Sequence, residues 1–151
     1  MTPRTSSTDS PEVPLALYIH WPFCRAKCPY CDFNSHVAQE IDHARFAAAY
    51  RREMAHMAAR YGAGRKLVSV FLGGGTPSLM PPALVAGILA DADRYFGFSS
   101  DVEITAEANP TSSEAAMFEG FRAAGVNRIS LGVQSLRDTG LGFLGREHSA
   151  A

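Results

Sequence analysis

Four short segments that predict β-strands alternate along this chain with segments of helical length. The four are LALYIH (15–20), KLVSVFL (66–72), DVEITAEANP (101–110) and NRISLGVQ (127–134). Alternating strands and helices predict an α/β fold with a parallel sheet and right-handed crossovers. A complete β/α barrel needs about 250 residues. The four strands therefore predict either a small open sheet or half of a barrel.

Helical periodicity predicts the elements between the strands. The first helix carries apolar residues at helical spacing and ends at Gly62 or Gly64: Phe46, Tyr50, Met54, Met57 and Tyr61. The second begins near Pro82 and turns one face inward: Leu84, Val85, Ile88, Leu89 and Ala92. The third starts at a cap among Thr111, Ser112 and Ser113, ends at Gly125, and buries Met117, Phe118 and Phe121.

Composition limits the class of protein. The chain has 151 residues, of which 46% are hydrophobic, so one globular domain is expected. The net charge of −1 and the lack of a basic stripe argue against nucleic acid as a partner, and no apolar run is long enough for a transmembrane segment. Residues 1–14 are polar and predict a disordered lead-in to a domain over 15–151 that is truncated at its C-terminus. The expected compartment is the cytoplasm.

Residues able to bind a ligand follow each predicted strand. Parallel strands present their carboxyl ends at one edge of the sheet, where α/β proteins bind ligands. The residues that this topology brings to one edge are Cys24, Cys28, Cys31, Gly73, Gly74, Gly75, Glu107, Asn109 and Gln134. We therefore predict one ligand site, built from four separate segments.

All three cysteines lie within eight residues, as C-x₃-C-x₂-C. Three clustered thiols in a reducing compartment favour a metal centre over disulfides. Three ligands leave one coordination position open, which is typical of a reactive centre. A structural zinc site completed by His20 or His36 stays open as an alternative, whereas a closed four-iron cluster would need a fourth cysteine.

Five segments in order resemble one family: YIHWPFCRAKCPYCDF, FLGGGTPS, EITAEANP, NRISLGVQS and LGREH. They resemble the oxygen-independent coproporphyrinogen III oxidases, which are radical S-adenosylmethionine (SAM) proteins, and the likeness covers residues 15–148. The oxidases carry another cysteine two residues beyond the third one. Phe33 stands there in this chain, as in the branch of radical SAM haem chaperones. The resemblance therefore implies a haem chaperone with the N-terminal half of a partial TIM barrel, and the decarboxylating oxidase is the alternative.

The resemblance also implies cofactors and partners. Cys24, Cys28 and Cys31 would hold a [4Fe–4S] cluster whose open iron binds SAM. The implied cofactor-binding residues are Tyr18, Tyr30, Gly74, Gly75, Thr76, Glu107, Gln134 and Arg146, with Glu103 a weaker candidate. Haem, a haem-acceptor protein and an electron donor such as a flavodoxin or ferredoxin are the implied partners.

Overall fold

The computed structural model describes residues 13–62, 64–110 and 112–150, without the side chains of residues 112–116. Most of the predicted lead-in lies outside these residues. The three cap candidates also lie outside the described part of the chain: Thr111 as a whole residue, and Ser112 and Ser113 in their side chains.

The described elements alternate as predicted. The strands are β1 (Leu15–Trp21), β2 (Phe23–Cys24), β3 (His36–Val37), β4 (Leu67–Gly74), β5 (Phe98–Ala108) and β6 (Arg128–Leu131). The α-helices are α1 (His43–Met57), α2 (Pro82–Phe96), α3 (Ser112–Ala124) and α4 (Asp138–Phe143). A π-helical turn follows α1 over Ala58–Gly62, and a 3₁₀ turn spans Pro77–Leu79.

The main sheet has four parallel strands in the order β1-β4-β5-β6. This sequential order places each strand beside the next long strand of the chain, as in a segment of a β/α barrel. The predicted α/β class with four parallel strands is confirmed. The chain also forms a two-residue parallel pair, β2 with β3, which the sequence did not predict because two residues show no periodicity.

Helices α1, α2 and α3 share one hydrophobic core with one face of the sheet. Alternate strand residues point into it, including Trp21, Leu72 and Ala106, all fully buried. The five α2 residues predicted to point inward are all buried. From α3, Phe121 is fully buried and Met117 packs against the core.

The first helix differs in part from its predicted pattern. Met54 is buried, and Phe46 and Tyr50 pack against the core, but Met57 and Tyr61 are 38% and 44% exposed. The π-helical turn over Ala58–Gly62 changes the helical period, so Tyr61 no longer follows the inner face. Met57 precedes this turn, as the last residue of α1.

The other face of the sheet is polar and aromatic. Tyr18 stacks on Phe71 with ring centroids 5.9 Å apart, and Arg128 pairs with Glu103 at 3.1 Å. Glu107 lies at the end of the same face, since it shares strand parity with Glu103. The carboxyl ends of all four strands meet at the edge where the predicted site residues lie.

Candidate cofactor site

A cavity of about 390 Å³ lies at the carboxyl edge of the sheet. It brings together ten of the predicted residues, but not Tyr18, Gly73 or the weaker candidate Glu103. The ten are Cys24, Cys28, Cys31, Tyr30, Gly74, Gly75, Thr76, Glu107, Gln134 and Arg146. Tyr18 does not line it and lies on the sheet face below. The cavity wall also includes Lys27, Ser35 and Ser130, which no sequence motif had pointed to. It includes Asn109 as well, which the sequence indicated only by its position at the end of a strand.

The cysteine loop is fastened at both ends. Cys24 ends β2, which pairs with β3, and the His36 amide donates to the Pro22 carbonyl at 2.7 Å. Within the loop the Cys31 amide donates to the Cys28 carbonyl at 3.0 Å. All three cysteines are half-buried free thiols. The loop therefore presents three thiols to one cavity without a disulfide.

The glycine turn after β4 packs directly against the base of this loop. The Gly75 amide donates to the Trp21 carbonyl at 2.6 Å, and the Thr76 amide donates to the Phe23 carbonyl at 2.8 Å. A methyl group at Gly75 would lie 2.5 Å from the Phe23 oxygen, and one at Gly74, where φ is +113°, would lie 2.6 Å from the His20 ring. The protein's own packing thus requires these two glycines, as expected of a tight turn between strand and helix, the alternative to close approach of a cofactor.

Glu107 connects the end of β5 to the glycine turn. Its Oε2 accepts a hydrogen bond from the Gly74 amide at 3.1 Å, and the carboxylate is half-buried in the cavity wall. Burial, and then the charge of Glu107, raise the pKa of Tyr18. Glu103, the weaker candidate, instead contacts Arg128 and Thr105 and does not line the cavity.

Thr76 is buried, with 7% of its surface exposed. It occupies the cap position of the 3₁₀ turn, but its side chain makes no capping hydrogen bond. Its hydroxyl therefore does not cap this turn. Thr76 lines the cavity, as predicted.

Arg146 closes the cavity from the C-terminal side. Its Nη1 lies 3.3 Å from both the Cys28 Sγ and the Tyr30 hydroxyl, and its Nη2 donates to Asn109 Oδ1 and to the Gly132 carbonyl. Burial, and then a hydrogen bond with Cys28, raise the pKa of Tyr30. The Arg146 Nε is buried and has no partner among the described residues. One donor of this guanidinium is therefore left for a ligand.

The histidines do not complete a metal site. His20 donates through Nε2 to the Asn34 carbonyl at 3.0 Å, His36 is exposed, and neither lines the cavity. In the described parts of the chain, no three His, Cys, Asp or Glu side chains are close enough to hold a single metal ion. A zinc ion needs four ligands converging on one point, whereas a four-iron cluster is wider and takes one thiolate per iron. Three thiols spread around one cavity fit the cluster better.

The parallel β/α sheet carries three thiols, a glycine turn, an acid and an arginine at one edge, which defines an α/β protein with a candidate cofactor site at the carboxyl ends of its strands. Comparison with known proteins identifies the family. The model of the radical SAM superfamily matches residues 18–151, and the chain belongs to this superfamily.

Several curated relatives are similar over most of the chain. The "Radical S-adenosyl methionine domain-containing protein 1, mitochondrial" of Bos taurus is 46% identical over 138 residues, which are 89% of this chain and 30% of that protein. "Heme chaperone HemW" of Haemophilus influenzae is 44% identical over 142 residues, 91% of this chain and 37% of that protein. HemW of Escherichia coli is 44% identical over 89% of this chain and 36% of that protein.

A solved structure has the same fold. Coproporphyrinogen III oxidase (HemN) from Escherichia coli, described as a radical SAM enzyme, matches with a TM-score of 0.80 and 32% identity over 90% of this chain and 31% of that one. The chain thus spans about a third of the length of the proteins it matches. Within the described residues, no helix is long and apolar enough to span a bilayer.

Proposed function

We propose that this chain binds a [4Fe–4S] cluster and SAM as part of a radical SAM haem chaperone. The observation that carries the proposal is the cavity at the carboxyl edge, where three thiols, the glycine turn, Glu107 and Arg146 meet. Residues 15–151 would form the first part of a core that continues in the longer relatives. When bound, the cluster supplies one electron for the reductive cleavage of SAM, and the protein supplies placement and exclusion of water.

Each group of residues has a proposed task. The three cysteines hold the cluster, and the open side of the cavity takes SAM. The Glu107 carboxylate accepts hydrogen bonds from hydroxyl or amino groups, and the free Nε of Arg146 donates to an acceptor. Tyr30 and Gln134 line the remaining wall. Tyr18 acts indirectly, since it lies on the sheet face below the cavity.

The chaperone branch is favoured over the oxidase by Phe33. This side chain is 59% exposed and lines the cavity at the position where the resembling oxidases carry a cysteine. Four relatives named as haem chaperones are 38–44% identical, compared with 32% for the oxidase. Haem, a haem-acceptor protein and a flavodoxin- or ferredoxin-like electron donor are the proposed partners. The proposed compartment is the cytoplasm, where free thiols persist.

Anaerobic reconstitution with iron and sulfide tests the cluster. We expect about four irons and four sulfides per chain and a broad absorption band near roughly 400 nm. Cys24→Ala, Cys28→Ala and Cys31→Ala should each abolish the band, whereas the exposed control His36→Gln should retain it. One zinc per chain without the band would overturn the proposal in favour of a structural zinc domain.

Substrate assays separate the two branches. The reconstituted protein is incubated with haem and, separately, with coproporphyrinogen III, SAM and a reductant. We expect haem binding and transfer to an apo-haemoprotein, without decarboxylation of the porphyrinogen. Decarboxylation would assign the chain to the oxidases instead.

A further inference from the structure

The backbone at Gln134 is strained. Its φ is +64°, and it is the only residue other than glycine with a positive φ in the described parts of the chain. Side chains larger than glycine hold this left-handed conformation only where the surroundings enforce it, and such residues cluster at functional sites. Gln134 lines the cavity. A methyl group at Gly132 would lie 3.3 Å from the side-chain nitrogen Nε2 of Gln134, so the two residues are in close contact.

The two peptide groups before Gln134 are held from one side. Arg146 Nη2 donates to the Gly132 carbonyl at 2.9 Å, and His148 Nε2 lies 3.1 Å from the Val133 carbonyl oxygen. Because a carbonyl oxygen can only accept, the His148 proton must be on Nε2. Arg146 and His148 are two residues apart, so one short segment fixes two successive carbonyls.

This segment is itself anchored. The Ala150 amide donates to Asp138 Oδ1 at 2.8 Å, which ties the end of the segment to the first turn of α4. The Arg146 amide donates to the Leu141 carbonyl at 2.9 Å. His148 is half-buried between these anchors. Its ring therefore donates to the strained turn from a segment that is itself held in place.

We infer that His148 is a positioning residue that holds Gln134 in its left-handed conformation and so keeps the Gln134 side chain at the cavity. The inference rests on the proposed function, in which Gln134 helps to bind SAM. The Val133 carbonyl oxygen also accepts a hydrogen bond from the Ser135 amide at 2.8 Å, which closes the turn around Gln134. Without the second bond from His148, this local bond alone does not hold the Val133 peptide, φ of Gln134 returns to negative values, and the side chain leaves the wall. The protonated and the Nε2-H neutral forms of His148 both donate this bond.

Calorimetric titration of SAM into the cluster-loaded protein tests the inference. His148→Phe keeps a ring but loses the donor and should weaken SAM binding about tenfold or more. His148→Gln places an amide nitrogen near the Nε2 position and should restore affinity to within about threefold. Equal affinity of wild type and His148→Phe would overturn the inference. His56→Gln, an exposed change on α1, is the matched control.

A double-mutant cycle shows whether His148 acts through Gln134. In a Gln134→Ala background, His148→Phe should cause no further loss of affinity, because the side chain that it positions is already gone. A further loss of the same size would overturn the inference.

If His148→Phe does not fold, His148→Asn serves instead, since its shorter amide falls short of the Val133 oxygen. A cluster-loaded wild type that binds no SAM would instead reject the proposed function itself, and the inference with it.

Discussion

At position 75, a single methyl group would meet the Phe23 carbonyl oxygen at 2.5 Å and its carbonyl carbon at 2.8 Å. Neither atom can move freely, because Phe23 also accepts the Thr76 amide. We expect Gly75→Ala to lower the free energy of unfolding by about 1–3 kcal/mol, the usual cost of overpacking. Urea denaturation measures the change.

Gly87→Ala is the matched control for this prediction. Gly87 lies in α2, and a methyl group there would have no neighbour within 4 Å. Alanine in an exposed helix should stabilise by up to about 1 kcal/mol. If the two variants lose equal stability, close packing of the glycine turn on the cysteine loop is not the reason for Gly75.

Tyr50 gives the protein a predictable response to alkali. Its hydroxyl donates to the His20 carbonyl at 2.6 Å, and burial raises its pKa to about 12. Because the pKa in the folded state lies above the unfolded value of about 10, the contribution of Tyr50 is fully present below pH 10. It is lost as the pH rises through about 12.

The melting temperature measured from pH 9 to pH 12 checks this response. Tyr50→Phe should flatten the decline, leaving only the smaller contributions of other tyrosines such as Tyr18 and Tyr30, whose pKa values are also raised. A decline of unchanged steepness in the variant would show that Tyr50 does not titrate in this way.

At the scale of elements, one side chain extends the pairing of β5 with β6. Asn127 accepts from the Ile104 amide through Oδ1 at 2.8 Å and donates through Nδ2 to the Val102 carbonyl at 2.8 Å. Asn127→Ala leaves the Ile104 amide without its acceptor and should cost about 1–3 kcal/mol. Urea denaturation should also show a loss for Asn127→Asp, which keeps the acceptor for Ile104 but turns a carboxylate oxygen toward the Val102 carbonyl. Unchanged stability of Asn127→Ala would contradict this role.

The elements also show what the sequence could predict. The inward face of α2 followed from its spacing because five apolar residues recur at the helical period, and all five are buried. The β2–β3 pair and the π-helical turn could not be predicted, since each is too short to have a period of its own.

The candidate site was predictable as a set of residues and not as a set of contacts. Parallel topology alone brings Cys24, Gly74 and Glu107 to one edge. Long-range contacts, which a local sequence pattern does not encode, determine the details. These details are the close packing at Gly75, the position of Tyr18 outside the cavity and the positive φ of Gln134.

At the scale of the whole molecule, Arg146 joins the first and last described segments. Its planar fork reaches Cys28, Tyr30, Asn109 and Gly132, and lysine, with one ammonium group, cannot reproduce that geometry. We expect Arg146→Lys to lower the free energy of unfolding by about 1–3 kcal/mol in urea denaturation. Arg122→Lys, an exposed change on α3, should be neutral. A neutral Arg146→Lys would show that the fork does not join the segments.

The contact between Arg146 and Cys28 spans 118 residues of chain. A ribosome adding about 5–20 residues per second needs roughly 6–24 s to make that stretch. During this interval Arg146 does not yet exist, so the Cys28 thiol lacks this contact for seconds in every round of synthesis. We therefore expect the yield of intact protein to depend on oxygen during translation as well as during storage.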